Sequence, residues 1–284
     1  MRKFLALLLV SLVIAACTSS QITSDSVAPK PETESNSEVL LMSEVKWEQL
    51  NPARGDKSPK AGTLWGDRTG SGAAGFLLKP IDGFRSPPHI HNIAYRGVVI
   101  SGRIHNDDPN AEEMWMPQGS FWTQPAGGVH ITAAKGSNNL AYIEVEDKFG
   151  VLPKEKAFSS PEKPINVDIS NIMWLDNLEM PAVSNGAKVA FLWGKPQDNQ
   201  LYGTLIKLPA GFSGKIRSQG SSFRAVVIQG QPQYQVSSDA DAKGLEPGSY
   251  FSSKGNWVHQ VSSKAGEESI IYVRTDGKFD VIPA

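Results

Sequence analysis

The chain repeats itself, and the repeat limits its fold more than any other feature. Leu64-Trp65-Gly66 returns as Leu192-Trp193-Gly194, and Gly83-Phe84 as Gly211-Phe212, both 128 residues later. Val98-Val99-Ile100-Ser101-Gly102 returns as Val226-Val227-Ile228-Gln229-Gly230 at the same offset. Past the loops the offset grows to 129, pairing His130 with His259, and then to 130, pairing Lys148-Phe149 with Lys278-Phe279. Single-residue insertions between matched segments are what loops tolerate. A period this long exceeds solenoid repeats, so two copies of one domain, each of about 110 residues, are expected.

Each copy reads as β. Phe76 to Lys79, Val98 to Ile100 and Leu140 to Val145 are short apolar or alternating runs, as are Val226 to Ile228 and Ser269 to Val273. Gly, Pro and Asn bound them, which is strand-and-turn punctuation. The chain holds 26 Gly and 19 Pro, again favouring closely spaced turns over a helix bundle. Asp176 to Met180 is the strongest helical hint and is too short to carry weight. The 28 Lys+Arg and 29 Asp+Glu nearly cancel, and no basic stripe marks a nucleic-acid partner.

The N-terminus reads as targeting. Met1-Arg2-Lys3 precedes the apolar run FLALLLVSLVIAA, shorter than the roughly 20 residues of a membrane span. It ends in Ile14-Ala15-Ala16-Cys17, which resembles the lipobox of bacterial lipoproteins. That resemblance implies a signal peptide over 1–16, cleavage before Cys17, lipidation of Cys17, and a chain anchored to the bacterial cell envelope, facing the periplasm or exterior. The alternative is an ordinary secretory signal with a chance cysteine. Cys17 is the only cysteine, so no intrachain disulfide can form. The following residues are rich in Ser, Thr, Glu and Pro, and 17–43 is expected to be a flexible tether. The repeat then divides the remainder at 44–160 and 161–284.

Chemistry concentrates in copy one. His89 and His91 stand one residue apart, and alternate strand residues share a face. Pro87 and Pro88 hold the approach extended. A third histidine, His130, follows a Pro125-Ala126-Gly127-Gly128 turn. Neutral imidazole ligates zinc, iron, copper, nickel or manganese.

These two stretches resemble the two motifs of the cupin superfamily. Gly83, His89, His91 and Gly102 stand at the spacing of the first motif, with Tyr95 where the family has glutamate. Gly119, Pro125, Gly127 and His130 stand at the spacing of the second. The resemblance covers copy one directly and copy two through the repeat. It implies an all-β bicupin, two tandem jelly-roll barrels, and the chain also resembles an uncharacterised bacterial bicupin lipoprotein family. It also implies one divalent metal ion held by His89, His91 and His130. Copy two keeps only His259; Arg217, Gln219 and Phe223 occupy the other positions, and a permanently charged guanidinium opposes a cation. Copy two is therefore expected to hold no metal.

Tyr95 is either a fourth ligand or a lining of the pocket. A phenol with pKa about 10 must lose its proton to ligate well, and Phe223 shows that an aromatic fits this position, which favours lining. His105 is expected on the surface or in a loop, and Asp107, Asp108, Glu112 and Glu113 as solvated charges. Trp65, Trp115, Trp122 and Trp193 are expected in the core, with Trp122 a candidate for the pocket wall. Arg85 and Arg96 flank the motif and are candidates for holding an anion, with solvation the simpler role.

Three neutral imidazoles leave the ion about +2, favouring an anionic partner, and leave coordination positions open. One functional class is a metal-dependent enzyme, a dioxygenase or relative acting on a small organic anion. The other is a non-catalytic ligand-binding or zinc-holding sensor module at the envelope. Its contact with the membrane would be through the lipid anchor alone. Oligomeric state is open, a homodimer included.

Overall fold

The computed structural model describes residues 36–236 and 240–284. The signal peptide, Cys17 and most of the tether lie outside the described residues. The first half contributes β1 (Ser37–Leu40), β2 (Trp47–Gln49), β3 (Lys60–Trp65), β4 (Ala74–Lys79), β5 (His89–His91), β6 (Tyr95–Asp107), β7 (Phe121–Gln124), β8 (Ile131–Val145), β9 (Val151–Pro153) and β10 (Ile165–Val167). The second contributes β11 (Lys188–Gly194), β12 (Tyr202–Leu208), β13 (Ser213–Ser218), β14 (Phe223–Gln229), β15 (Gln233–Gln235), β16 (Lys243–Gly244), β17 (Tyr250–Ser253), β18 (Trp257–Ser262), β19 (Ser269–Thr275) and β20 (Phe279–Pro283). Only short 3₁₀ turns interrupt them among the described residues, and the Asp176–Met180 segment closes a single turn through Met180 N–H and the Asp176 carbonyl.

Barrel one pairs the sheet β10-β7-β6-β8-β4-β3-β2 with the ribbon β5-β9. Barrel two pairs β1-β17-β14-β19-β12-β11 with β16-β15-β18-β13-β20. All ladders are antiparallel.

Two short strands cross between the repeats. Ser37–Leu40, read from the sequence as tether, is a strand, and it pairs with β17 of barrel two. Its repeat equivalent, β10, lies past residue 160 and pairs with β7 of barrel one. Each crossing ends in the same device: Met42 N–H donates to Ser249 Oγ, and Ile169 N–H donates to Ser120 Oγ. A Ser-rich composition predicts disorder only when no edge is at hand. The free edge of β17 supplies the backbone partners that Ser37–Leu40 lacks locally.

The apolar runs of β6 and β14 are buried on both faces, which is why they do not alternate. Val99 faces the interior of barrel one, while Val98 and Ile100 join a second core between the barrels. That core also holds Val226, Ile228, Tyr250 and Tyr272 from barrel two. Trp65 and Trp193 belong here, as the interface between barrels, and not inside either one. Their Nε1–H groups donate to Tyr142 Oη at 3.0 Å and Tyr272 Oη at 2.9 Å. Arg96 of barrel one lies 3.8 Å over the Trp193 ring, and its repeat equivalent Arg224 lies 4.2 Å over Trp65. Gly75 and Gly203 permit these tryptophans: a Cβ at either would come within 2.1 Å or less of the indole Nε1.

Candidate metal centre

Strand β5 and the start of β8 bring the three histidines together. His89 and His130 form a bridge in which each backbone N–H donates to the other's carbonyl at 3.0 Å. His91 follows on the same face of β5, held from outside by pairing with Val151. The turn before His130 needs Gly127, whose φ is 72° and whose place a Cβ would share with the Phe158 carbonyl at 2.5 Å.

One ligand atom from each of His89, His91 and His130 lies within 4.8 Å of the others. Each ring is fixed at its far nitrogen. His89 Nδ1 faces the Pro87 carbonyl at 2.9 Å, His91 Nδ1 the Gly150 carbonyl at 3.0 Å, and His130 Nδ1 the Gly128 carbonyl at 3.0 Å. A carbonyl can only accept, so Nδ1 carries the proton and Nε2 presents a lone pair in all three. Ligating histidines are oriented in this way. Burial lowers the His89 imidazole, drives His91 well down with help from its two neighbours, and pushes His130 down to about 3. All three are neutral at pH 7. Phe149 stacks on His91 with centroids 4.1 Å apart and fixes that ring's plane.

This donor set fits a divalent ion. Zinc or a similar metal takes imidazole nitrogen at about 2.1 Å, so the rings need to close by less than about 1 Å each. Burial against two carbonyl-locked neighbours disfavours protonation, which is the competitor of metal binding.

Tyr95 lies beside this centre. Its hydroxyl donates to Asn106 Oδ1 at 2.7 Å and stands 3.4 Å from His130 Nε2. Burial pushes the phenol up to about 12. Thr132 Oγ1 also donates to Asn106 Oδ1, and Asn106 Nδ2 donates to Gln124 Oε1, closing a buried network. Tyr95 and Trp122 both line a cavity of about 870 Å³ that has His89 and His91 in its wall.

The other sequence candidates lie elsewhere. His105 is not a surface histidine: it is 1% exposed within β6, its Nδ1 facing the Met114 carbonyl at 3.3 Å. Trp115 is half-buried and donates to Glu113, so it is no core residue. Arg85 pairs with Glu113 at 2.9 Å on the surface, and Arg96 reaches the barrel interface, so neither meets the cavity. Two arginines that do line it, Arg54 and Arg68, were missed because they lie outside both motifs.

In barrel two the equivalent positions are otherwise engaged. Arg217 and Gln219 both donate to Asp280, and His259 meets Tyr234 Oη at 2.9 Å and Ser253 Oγ at 3.0 Å through its two ring nitrogens. Phe223 stacks on His259, and Phe251, Phe279 and Tyr234 help to fill the interior.

Solved structures share this fold. A candidate dioxygenase from Nostoc punctiforme is 13% identical, covering 87% of this chain and 86% of that one, with a TM-score of 0.61. Oxalate decarboxylase from Bacillus subtilis is 13% identical over 84% and 76%, with a TM-score of 0.53. AerE from Microcystis aeruginosa is 11% identical over 87% and 99%, also at 0.53. The fold is thus the two-barrel cupin architecture that the motifs imply. No curated protein matches the chain. The family described as domain of unknown function DUF4437 matches residues 38–282, spanning both barrels, and the chain belongs to that family.

Proposed function

We propose that the protein is a metal-dependent cupin enzyme that binds one divalent ion in barrel one and acts there on a small organic anion, with dioxygenase chemistry as the first reading. The observation that carries this is the convergence of three carbonyl-locked imidazoles, two of which, His89 and His91, stand in the wall of a cavity large enough for a substrate. A closed structural site would spend a fourth protein ligand and leave no such space. The Nostoc neighbour is described as a candidate dioxygenase, and the Bacillus decarboxylase as carrying Mn(II) centres, both in agreement with a metal reading.

A divalent ion held by His89, His91 and His130 would supply a Lewis acid there. The rest is done by the chain. Three neutral imidazoles and a neutral Tyr95 leave the metal charge uncompensated, which favours an anionic ligand. Phe76, Phe84, Ile143 and Phe149 wall the cavity with apolar surface and limit water. Asn106 holds the Tyr95 proton away from the imidazole lone pairs. By the lipobox resemblance, Cys17 would tether this centre to the envelope.

Elemental analysis of the purified chain tests the reading, followed by oxygen uptake with small diketones, thiols and phenols. About one ion per chain is expected. His89→Ala, His91→Ala and His130→Ala each lose most of it, and His259→Ala keeps it. Two ions per chain, or full retention in His91→Ala, refutes the site. Zinc without turnover on any anion would instead support the sensor module.

A further inference from the structure

The two repeats carry the same strap, and they use it in opposite ways. The landmarks are Trp47, whose ring lies 5.5 Å from Lys79 Nζ, and Trp174, whose ring lies 4.4 Å from Lys207 Nζ. After each tryptophan the chain runs through Pro-Ala before entering the next long strand: Pro52-Ala53-Arg54 in copy one, Pro181-Ala182-Val183 in copy two. In barrel two, Val183 is fully buried and belongs to the core that fills the barrel, together with Phe212. In barrel one the matching pair is Arg54 and Phe84, and both line the open cavity beside His89 and His91. One position thus plugs one barrel and places a cation at the mouth of the other.

Arg54 is held for this role and left unspent. Leu50 N–H donates to the Pro59 carbonyl at 2.9 Å and Asn51 N–H to Ser58 Oγ at 2.9 Å, tying the strap at its base. The Arg54 guanidinium carbon sits 5.6 Å from the Phe84 ring centroid, a cation–π contact, and among the described residues its side chain makes no hydrogen bond to the protein. Arg68, the other cavity arginine, is taken up by an ion pair with Glu48. Among the described residues no carboxylate pairs with Arg54. The cavity between Arg54 and the imidazoles is walled by Phe76, Leu78, Phe84 and Phe149.

We propose that Arg54 is the residue that determines specificity: it grips a carboxylate at the outer end of the cavity while the opposite end of the substrate reaches the three imidazoles. The substrate class is then an organic acid with an apolar body and a metal-seeking head remote from its carboxylate. This rests on the reading of barrel one as a metal centre for organic anions. It adds that the anion is recognised by the strap as well as by the ion.

The test uses the full chain loaded with manganese(II). The probes are the monohydroxamates of succinic, adipic and suberic acid, each beside its terminal amide, with acetohydroxamate as the short control. The hydroxamate occupies the metal, and only the far end differs within a pair. For the wild type, the acid should bind about ten-fold tighter than the amide at one chain length, near the low end of what a charge-assisted hydrogen bond supplies. Arg54→Gln should bring that ratio close to one by weakening the acid more than the amide, and Arg54→Lys should keep part of it. A ratio that persists in Arg54→Gln, or that equals one at every length in the wild type while acetohydroxamate still binds, overturns the role of Arg54 alone. A wild type that holds no manganese and binds no acetohydroxamate overturns the metal centre, and this proposal with it.

Discussion

Arg274→Met tests how the two barrels are joined. Arg274 is 3% exposed and lies between repeats, donating to Glu146 at 2.7 and 2.9 Å and to Glu144 at 3.4 Å. Glu144 is 1% exposed, and once Arg274 is gone its remaining cation is Arg96 at 3.7 Å. Methionine fills most of the volume, so the loss is electrostatic. Removing one partner of a buried pair costs about 3–5 kcal/mol, because the other charge is stranded. Arg96 puts this case at the low end, about 3 kcal/mol. For a chain of this size that corresponds to a fall in Tm of about 6–12 °C at pH 7.5.

The pH dependence is the sharper part. Burial raises the Glu144 carboxyl above its ordinary value, and Arg274 and then Arg96 pull it partly back. In the variant the larger of those two attractions is lost, and the folded carboxyl rises further. A carboxyl whose folded pKa lies above its unfolded value binds its proton more tightly in the folded state. The penalty of the variant relative to the wild type is therefore full above the variant's folded pKa and fades as pH falls toward the wild type's own raised value. Thermal unfolding followed by circular dichroism between pH 5 and 8 should show wild type and variant converging on acidification. Adding Glu144→Gln to Arg274→Met should restore most of the loss at pH 7.5. A Tm difference below about 2 °C, or one that widens toward acid, refutes the stranded-charge argument.

Tyr95→Phe should keep the metal, because the phenol is buried, neutral and committed to Asn106; elemental analysis decides it. The cost is about 1 kcal/mol of stability for the lost hydrogen bond, and loss of metal with intact circular dichroism would make Tyr95 a ligand instead. Cys17→Ser should leave the chain unlipidated in its host; an unmodified mature N-terminus in the wild type, seen by mass spectrometry, counts against the anchor.

Local spacing along the chain made part of this protein legible. The offset of 128 to 130 announced two equivalent units, and alternating apolar runs announced strands. His89, His91 and His130 were legible because the spacing inside each of the two motifs, and the turns before them, are properties of short segments. Arg217 and Gln219 in place of histidine were equally legible as a break in that pattern. The run Val98–Ile100 announced a strand, but its burial on both faces, between the barrel interior and the second barrel, came from the structure.

Tertiary structure decided which surfaces meet. Ser37–Leu40 looks like tether from its neighbours, and becomes a strand only because β17 of the other repeat offers an unpaired edge. Arg96 looks like a motif-flanking cation, and is drawn away to Trp193 because the barrels pack with reciprocal arginine–tryptophan stacks. His105 looks like a loop histidine, and is buried because β6 continues past the Gly102 turn as one bent strand. Arg54 carries no motif at all. Its place at the cavity mouth follows from a strap that closes over the barrel, and that its side chain remains unpaired follows from where Glu48 and Arg68 lie in space. For Ser37–Leu40 and Arg96 the deciding partner lies in the other repeat, and for His105 and Arg54 it is the folded surface of barrel one; none of these contacts exists before the strands have assembled.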